Sequence, residues 1–162
     1  MKGGCSARPI AMAHRLVATA VAAAVLMTGA APPAAAIAAE PFVVIANPSV
    51  PGTVVHRADL AAVFLKKAVR WGDGSHAVPV DQSGTSSVRK AFCDVVLQLP
   101  VTEVLQYWHK QLLSPTAVVT LPPVKGTDND VLGYIAATPG AVGYVSADAT
   151  LPAGVKALRL VD

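Results

Sequence analysis

The part of the sequence that decides the fold is AVPVDQSGTSSVRKAFCDVVLQL, residues 77–99. It begins with a short apolar strand over residues 77–80. It continues as a helix, because the apolar residues from Val88 to Leu99 recur at three- and four-residue spacing. A strand that turns directly into a helix leaves the first amide groups of that helix unpaired, at the positive end of its dipole. The stretch therefore predicts a seat for an anion at the start of the helix.

Four of the predicted anion-binding residues form the turn itself: Ser83, Gly84, Thr85 and Ser86. Gly84 lets the backbone approach a ligand closely, because it carries no side chain. The hydroxyl groups have two interpretations, which the sequence leaves open. They either donate hydrogen bonds to a bound oxyanion or cap the helix that follows.

Arg89 is the fifth predicted anion-binding residue. It lies one turn after Thr85, and helical side chains lean toward the N-terminus, so its guanidinium is expected to reach back to the turn. The alternative is an exposed, solvated arginine, paired with an acid elsewhere. Under the first interpretation Arg89 contributes a charge-assisted hydrogen bond to oxyanion binding. Lys90 then contributes little, because it lies about 100° around the helix.

Residues 1–38 have the layout of a cleavable secretory signal. Three basic residues precede an apolar run over residues 16–27, and the segment ends in the small-residue motif AIA at 36–38. The apolar run is shorter than the roughly 20 residues that span a bilayer, so no stable membrane anchor is expected. Residues 39–162 are therefore predicted to form one domain that is periplasmic or secreted.

The charge balance of that domain argues against nucleic acid as a partner. Three of the 13 Lys and Arg residues precede residue 39 and none of the 10 Asp and Glu residues do, so the domain is neutral. Its single cysteine, Cys93, excludes an internal disulfide and is expected to pack rather than to act as a nucleophile. The histidines lack metal-ligand spacing. No catalytic residue, metal or cofactor is predicted.

Apolar runs alternate with helical patterns along the domain. Strands are predicted over Phe42–Ala46, Ala77–Val80, Ala117–Leu121, Ala141–Val145 and Val155–Val161, and helices over Arg57–Val69, from the Ser-Gly-Thr turn to Leu99, over Thr102–Leu113 and from Thr127. Residues 49–55 are predicted to be a surface loop. Strands separated by helices predict an α/β fold with a mainly parallel sheet of about five strands flanked by helices. The first and fourth of these strands are expected to be central and buried.

Three stretches of the chain, kept in order, carry a family resemblance. They are FVVIANP (42–48) with a helix ending in FLKK (64–67) and Trp71, then Ser83-Gly84-Thr85 after a strand, then residues 129–145 with the motif TPGAVGYV. Together they resemble the substrate-binding proteins of phosphate ABC transporters. The resemblance implies one lobe of a type-II periplasmic-binding-protein-like fold. In that family phosphate lies in a cleft between two lobes, and a Ser-Gly-Thr turn at a helix N-terminus is one wall.

The resemblance implies a solute-binding module, not an enzyme, that binds phosphate or a similar oxyanion through Ser83, Gly84 and Thr85. It implies an ABC permease or a membrane sensor as a partner. Two features depart from the family. Residues 77–82 lack the arginine that often precedes the Ser-Gly-Thr turn, and the domain is about half the usual length. The alternative interpretation is a ligand-free interaction module that docks onto a transporter, a sensor or a second copy of itself.

The signal segment leads to a direct prediction. Because a small-residue motif ends the segment, we expect exported protein to begin at Ala39, within a few residues. N-terminal sequencing of the exported protein measures this. Recovery of soluble exported protein that retains Met1 contradicts the prediction.

Overall fold

The computed structural model describes residues 41–114 and 120–162. The predicted signal segment and residues 115–119 lie outside the described residues. In the described part, the elements follow in the order β1 (Phe42–Ala46), β2 (Val54–His56), α1 (Arg57–Phe64), β3 (Val78–Pro79), β4 (Asp81–Gln82), α2 (Ser87–Phe92), a π-helix (Cys93–Leu97), α3 (Val101–Leu112), β5 (Val124–Lys125), α4 (Asp128–Ala137), β6 (Ala141–Ser146) and β7 (Lys156–Val161).

The main sheet has five strands in the order β2-β7-β1-β6-β3. The central strand β1 is antiparallel to both of its neighbours, β6 and β7, whereas the outer pairs β2–β7 and β3–β6 are parallel. The sheet is therefore mixed, and the prediction of a mainly parallel sheet is wrong. The alternation of strands and helices implies parallel pairing only when successive strands are neighbours. Here β1 pairs with strands from the far end of the chain, whose direction that alternation does not fix.

Most predicted elements form where the sequence places them. Strands β1, β6 and β7 and helices α3 and α4 agree with the prediction to within one or two residues. The helix after the Ser-Gly-Thr turn runs through α2 and the π-helix, and ends at Gln98, whose φ is 54°. Helix α4 begins with a capping box, in which Thr127 and Asp130 exchange side-chain and backbone hydrogen bonds.

Three other parts of the chain differ from the prediction. Helix α1 ends at Phe64 rather than Val69, because Lys66 adopts a left-handed φ of 55° that a helix cannot continue. Part of the predicted loop at 49–55 forms β2, which pairs with β7 at the edge of the sheet. Of the predicted strand at 117–121, residues 117–119 lie outside the described part, and the two that follow are not in a strand.

The central strands β1 and β6 are buried on both faces of the sheet. Phe42, Val44 and Ala46 of β1 pack in one core cluster, and Ile45 packs in a second cluster on the other face. This confirms the prediction from the unbroken apolar run, because alternate residues of a strand point to opposite faces. The first cluster centres on an aromatic stack of Phe92 from α2 on Tyr144 from β6, with ring centroids 4.0 Å apart.

At two positions of the TPGAVGYV motif, neighbouring atoms leave no room for a side chain, which explains why glycine occupies them. Gly140 has a φ of +76°, and a Cβ built on it lies 2.1 Å from the His76 carbonyl oxygen, so no side chain is tolerated there. At Gly143 a Cβ lies 2.9 Å from Ile135 Cδ1, so α4 packs directly on the backbone of β6. Among the helices of the described residues, none is both long enough and apolar enough to cross a membrane.

The buried central strands predict sensitivity to charge. Ile45 and Val142 are fully buried, and an unpaired carboxylate there costs several kcal/mol against a total stability of roughly 5–15 kcal/mol. We expect Ile45→Asp and Val142→Asp to be unfolded in thermal melts followed by circular dichroism. Leu113→Asp is the matched control, because Leu113 is 77% exposed. A near-wild-type melting temperature for either core variant contradicts the assignment of these strands.

Candidate anion-binding site

The predicted anion-binding turn joins β4 to α2 and is open to solvent. Gly84 and Thr85 are exposed, and Ser83 and Ser86 are half-buried. Among the described residues, none accepts a hydrogen bond from the backbone amides of Gly84, Thr85 or Ser87. Amides at the start of a helix lack intrahelical partners. The turn therefore presents a set of backbone donors to solvent, as the sequence predicts.

One hydroxyl group of the turn caps the helix, whereas two others leave a hydrogen available for a bound oxyanion. The Ser86 hydroxyl donates to Gln82 Oε1 at 2.6 Å and accepts from the Arg89 amide at 3.2 Å, so Ser86 caps α2. Its single hydroxyl hydrogen is used internally and is not available to a ligand. Ser83 Oγ and Thr85 Oγ1 lie 3.1 Å apart and share one hydrogen bond. One hydroxyl hydrogen of that pair remains for a bound acceptor.

The Arg89 side chain reaches back toward the turn, but it is buried and only 4% exposed. Its Nη1 donates to the Gln82 carbonyl oxygen at 3.0 Å and lies 3.8 Å from where a Cβ of Gly84 would stand. Its Nη2 forms an ion pair with Asp81 Oδ2 at 2.8 Å. Both terminal nitrogens are thus engaged inside the protein. Arg89 is thus not an open cation; it pairs with an acid, as the alternative interpretation allowed, but inside the protein rather than at its surface.

Asp81 accepts hydrogen bonds on its other carboxylate oxygen. Oδ1 accepts from the Tyr144 hydroxyl and from the Gln82 amide, the latter at 2.9 Å. The pKa of the Asp81 carboxyl is raised, because the effect of burial outweighs the Arg89 guanidinium and these hydrogen bonds, which lower it. Burial and the neighbouring Asp81 carboxylate likewise raise the pKa of the Tyr144 hydroxyl, so this hydroxyl stays protonated as a donor. The acid and the guanidinium together form a neutral buried unit.

Gln82 links the turn to the start of α4 and to β6. Its Nε2 donates to Asp128 Oδ1 at 2.7 Å and to the Tyr144 carbonyl oxygen at 3.1 Å, while its Oε1 holds Ser86. Sequence reasoning did not assign Asp81, Gln82 or Tyr144 to the site. A signal was present, because a buried strand that ends in adjacent polar residues needs internal hydrogen-bond partners for them.

A pocket of ≈390 Å³ lies in front of the turn. Ser83 does not line it. The residues that do are Gly84, Thr85, Ser86, Ser87, Lys90, Asp94 and, from the start of α3, Pro100, Val101 and Thr102. Lys90 Nζ pairs with Asp94 at 2.5 Å, and this hydrogen bond raises the pKa of the lysine. Among the described residues that line the pocket, Lys90 is the only cation. Its position here differs from the expectation that Lys90 lies away from the site.

Cys93 follows α2 and packs with Val104 and Trp108 of α3. Burial and the nearby Asp81 carboxylate raise the pKa of its thiol to about 11, so the thiolate is scarce at neutral pH. Within the described residues, no group of three His, Cys, Asp or Glu side chains is placed to hold a metal ion.

The buried ion pair predicts an asymmetry between single and double variants. Arg89→Met leaves the Asp81 carboxylate buried without its partner, which costs about 3–5 kcal/mol of unfolding free energy. The double variant Asp81→Asn with Arg89→Met removes both charges, so we expect it to lose less. Urea denaturation measures both, and Lys90→Met, which breaks only an exposed pair, is the control with little change. Equal losses from Arg89→Met and the double variant contradict the role of the pair.

Comparison with known proteins identifies similar folds but does not identify a ligand for this chain. No protein-family model matches the chain, and no curated protein matches it. Among solved structures, an ABC-type phosphate transport receptor from Vibrio cholerae matches with a TM-score of 0.55 at 16% identity, over 74% of this chain and 46% of the receptor. A putative phosphate ABC transporter substrate-binding protein with bound phosphate, from Clostridium perfringens, matches with a TM-score of 0.55 at 14% identity, over 74% and 44%.

A third similar structure is PstS from Borrelia burgdorferi, with a TM-score of 0.56 at 14% identity over 74% of this chain and 47% of that one. The identities are low, so the match establishes the fold alone. The chain spans slightly less than half the length of each of these proteins. The described domain therefore has the fold of about one half of a phosphate-type ABC transporter substrate-binding protein.

Proposed function

We propose that this domain is an exported solute-binding module that binds phosphate or a similar oxyanion at the Ser83–Ser87 turn. The observation that carries the proposal is the set of amides at Gly84, Thr85 and Ser87, which no described residue uses. They lie at the positive end of a helix and face a pocket. Proteins with a similar fold include the putative phosphate ABC transporter substrate-binding protein from Clostridium perfringens, which has bound phosphate. No catalytic role is proposed, because the similar structures are receptors.

The hydrogen-bond donors near the turn are of two kinds, those that are open to the pocket and those that are used inside the protein. Backbone amides and one hydroxyl hydrogen of the Ser83–Thr85 pair are free to meet the anion. Arg89 lies on the protein side of the turn, where it donates a hydrogen bond to the Gln82 carbonyl oxygen. Its charge is balanced by Asp81. Arg89 is thus proposed to position the turn rather than to touch the ligand. Lys90 is the cation proposed to lie nearest the pocket.

The number of hydrogen-bond donors at the turn determines the affinity that we expect for phosphate. Hydrogen bonds to a charged group contribute roughly 1.5–3 kcal/mol each, so two or three of them without an unpaired cation correspond to dissociation constants from roughly millimolar to micromolar. Such an affinity suits a module that acts at high ligand concentration or as one side of a larger site. We propose an ABC permease or a membrane sensor as the partner, by analogy with the transport receptors that share the fold.

A ligand-free docking module is the second candidate function. The observation that favours it is length, because the chain spans only 44–47% of three similar receptors. In this alternative the turn is a remnant of the fold, and the domain works by contact with a transporter, a sensor or a second copy.

Phosphate titration separates the two functions. We expect heat of binding in isothermal titration calorimetry with inorganic phosphate, and an affinity about three- to tenfold lower for Thr85→Val, which keeps the shape but removes one hydroxyl donor. Thr150→Val is the matched control, because Thr150 is exposed and lies outside the pocket. Absence of heat and of any thermal shift at millimolar phosphate contradicts the anion site and favours docking. Equal losses from both variants also contradict it.

A further inference from the structure

A second pocket, of ≈370 Å³, lies between β2, the start of α1 and residues 68–72; we refer to it as the β2 pocket. Its floor consists of side chains from the first core cluster, all buried: Val50, Val55, Val63 and Leu158. Its volume is in the range of small-molecule sites, which are mostly apolar with a few polar groups. The floor can therefore accept a small apolar group. No residue that lines the β2 pocket also lines the pocket at the anion-binding turn.

Two opposite charges line the β2 pocket without pairing. Asp59 lies in the first turn of α1, and within the described residues its carboxylate has no hydrogen bond or ion pair. Arg70 donates one hydrogen bond, from Nη1 to the Gly74 carbonyl oxygen at 2.7 Å, and it has no acidic partner there either. Their charged atoms are more than 4.0 Å apart, so the two charges do not neutralise each other directly.

The walls of the β2 pocket are held in place by other contacts. The Trp71 indole donates to the Gly140 carbonyl oxygen at 3.3 Å, and its backbone amide donates to Ser75 at 2.8 Å. His56 Nδ1 donates to the main-chain oxygen of Asp162 at 2.9 Å. Side chains fixed before binding lose little conformational entropy when a ligand arrives. Trp71 and His56 are thus held in place before a ligand binds.

We propose that the β2 pocket binds an apolar α-amino acid in its zwitterionic form. The ammonium group faces Asp59, the carboxylate faces Arg70, and the aliphatic or aromatic side chain lies on the floor beside Trp71. A zwitterion with an apolar side chain complements one carboxylate, one guanidinium and an apolar surface together. Arg also offers two parallel donors to a carboxylate, which favours that orientation.

Calorimetry on the full-length chain with L-leucine tests the proposal without any variant. We expect leucine to bind, and isocaproate, which lacks the ammonium group, and isoamylamine, which lacks the carboxylate, to bind at least about tenfold more weakly. Acetylated and amidated leucine, with neither charge, is expected to be weaker still. No binding of leucine or phenylalanine overturns the proposal. Equal binding of leucine and its uncharged derivative overturns it as well, and points to an apolar peptide group as the occupant.

Substitutions of Asp59 and Arg70 test whether each of these charged side chains contributes to leucine binding. Asp59→Asn and Arg70→Gln are each expected to weaken leucine binding about tenfold, with melting temperatures near that of the wild type because both residues are exposed. Asp148→Asn and Arg159→Gln are the matched controls, being exposed and outside the β2 pocket. Leucine affinity that is unchanged in Asp59→Asn and Arg70→Gln overturns the proposal, as does an equal loss in the controls. Phosphate binding stays unchanged in all four variants, because the anion-binding turn is separate.

Discussion

The ion pair between Asp81 and Arg89 is the interaction on which the arrangement of this domain depends. Two charges taken out of water are tolerated only when each meets its partner with good geometry and the remaining donors and acceptors are also used. Here the carboxylate receives the guanidinium on one oxygen and the Tyr144 hydroxyl and Gln82 amide on the other. These contacts join β4, α2 and β6. They fix where α2 begins relative to the sheet, and hence where the turn lies.

This constraint also decides what the turn can offer to an anion. A guanidinium directly behind the Ser-Gly-Thr turn is well placed to attract negative charge, but its field is largely cancelled by a carboxylate 2.8 Å away. The capping role of Ser86 removes a further donor. Among the described residues, the groups that remain on the pocket side are backbone amides, one shared hydroxyl hydrogen and Lys90, which pairs with Asp94. The local structure therefore favours selection by geometry over strong electrostatic attraction.

Charges in this domain follow two different rules. Inside, the acid and the guanidinium neutralise each other, because an unpaired charge there costs several kcal/mol. At the β2 pocket, Asp59 and Arg70 stay apart, because solvent stabilises each of them without a partner. Paired charges of the first kind hold elements together. Separated charges beside an apolar floor are the kind that a small ligand can bridge, since binding removes water from both at once.

Local patterns in the sequence determined the elements and the position of the turn. Periodicity located β1, β6, α3 and α4, and the SGTSS segment identified the start of α2, because these features depend on residues close together in the chain. The apolar run at Phe42–Ala46 also indicated burial on both faces. The glycines of the TPGAVGYV motif were recognised by resemblance, whereas their steric reason appears only where His76 and Ile135 approach them.

Tertiary structure alone decided strand direction and the role of Arg89. The pairing of β1 with β6 and β7 involves residues about 100 positions apart, and no local pattern encodes which way such strands run. The spacing of Arg89 from Thr85 correctly indicated that the side chain leans back toward the turn. It could not indicate that Asp81 pairs with the guanidinium inside the protein, because strand β4 brings that carboxylate from another element. Burial and pairing are properties of several elements together, so they follow from the fold and not from the helix.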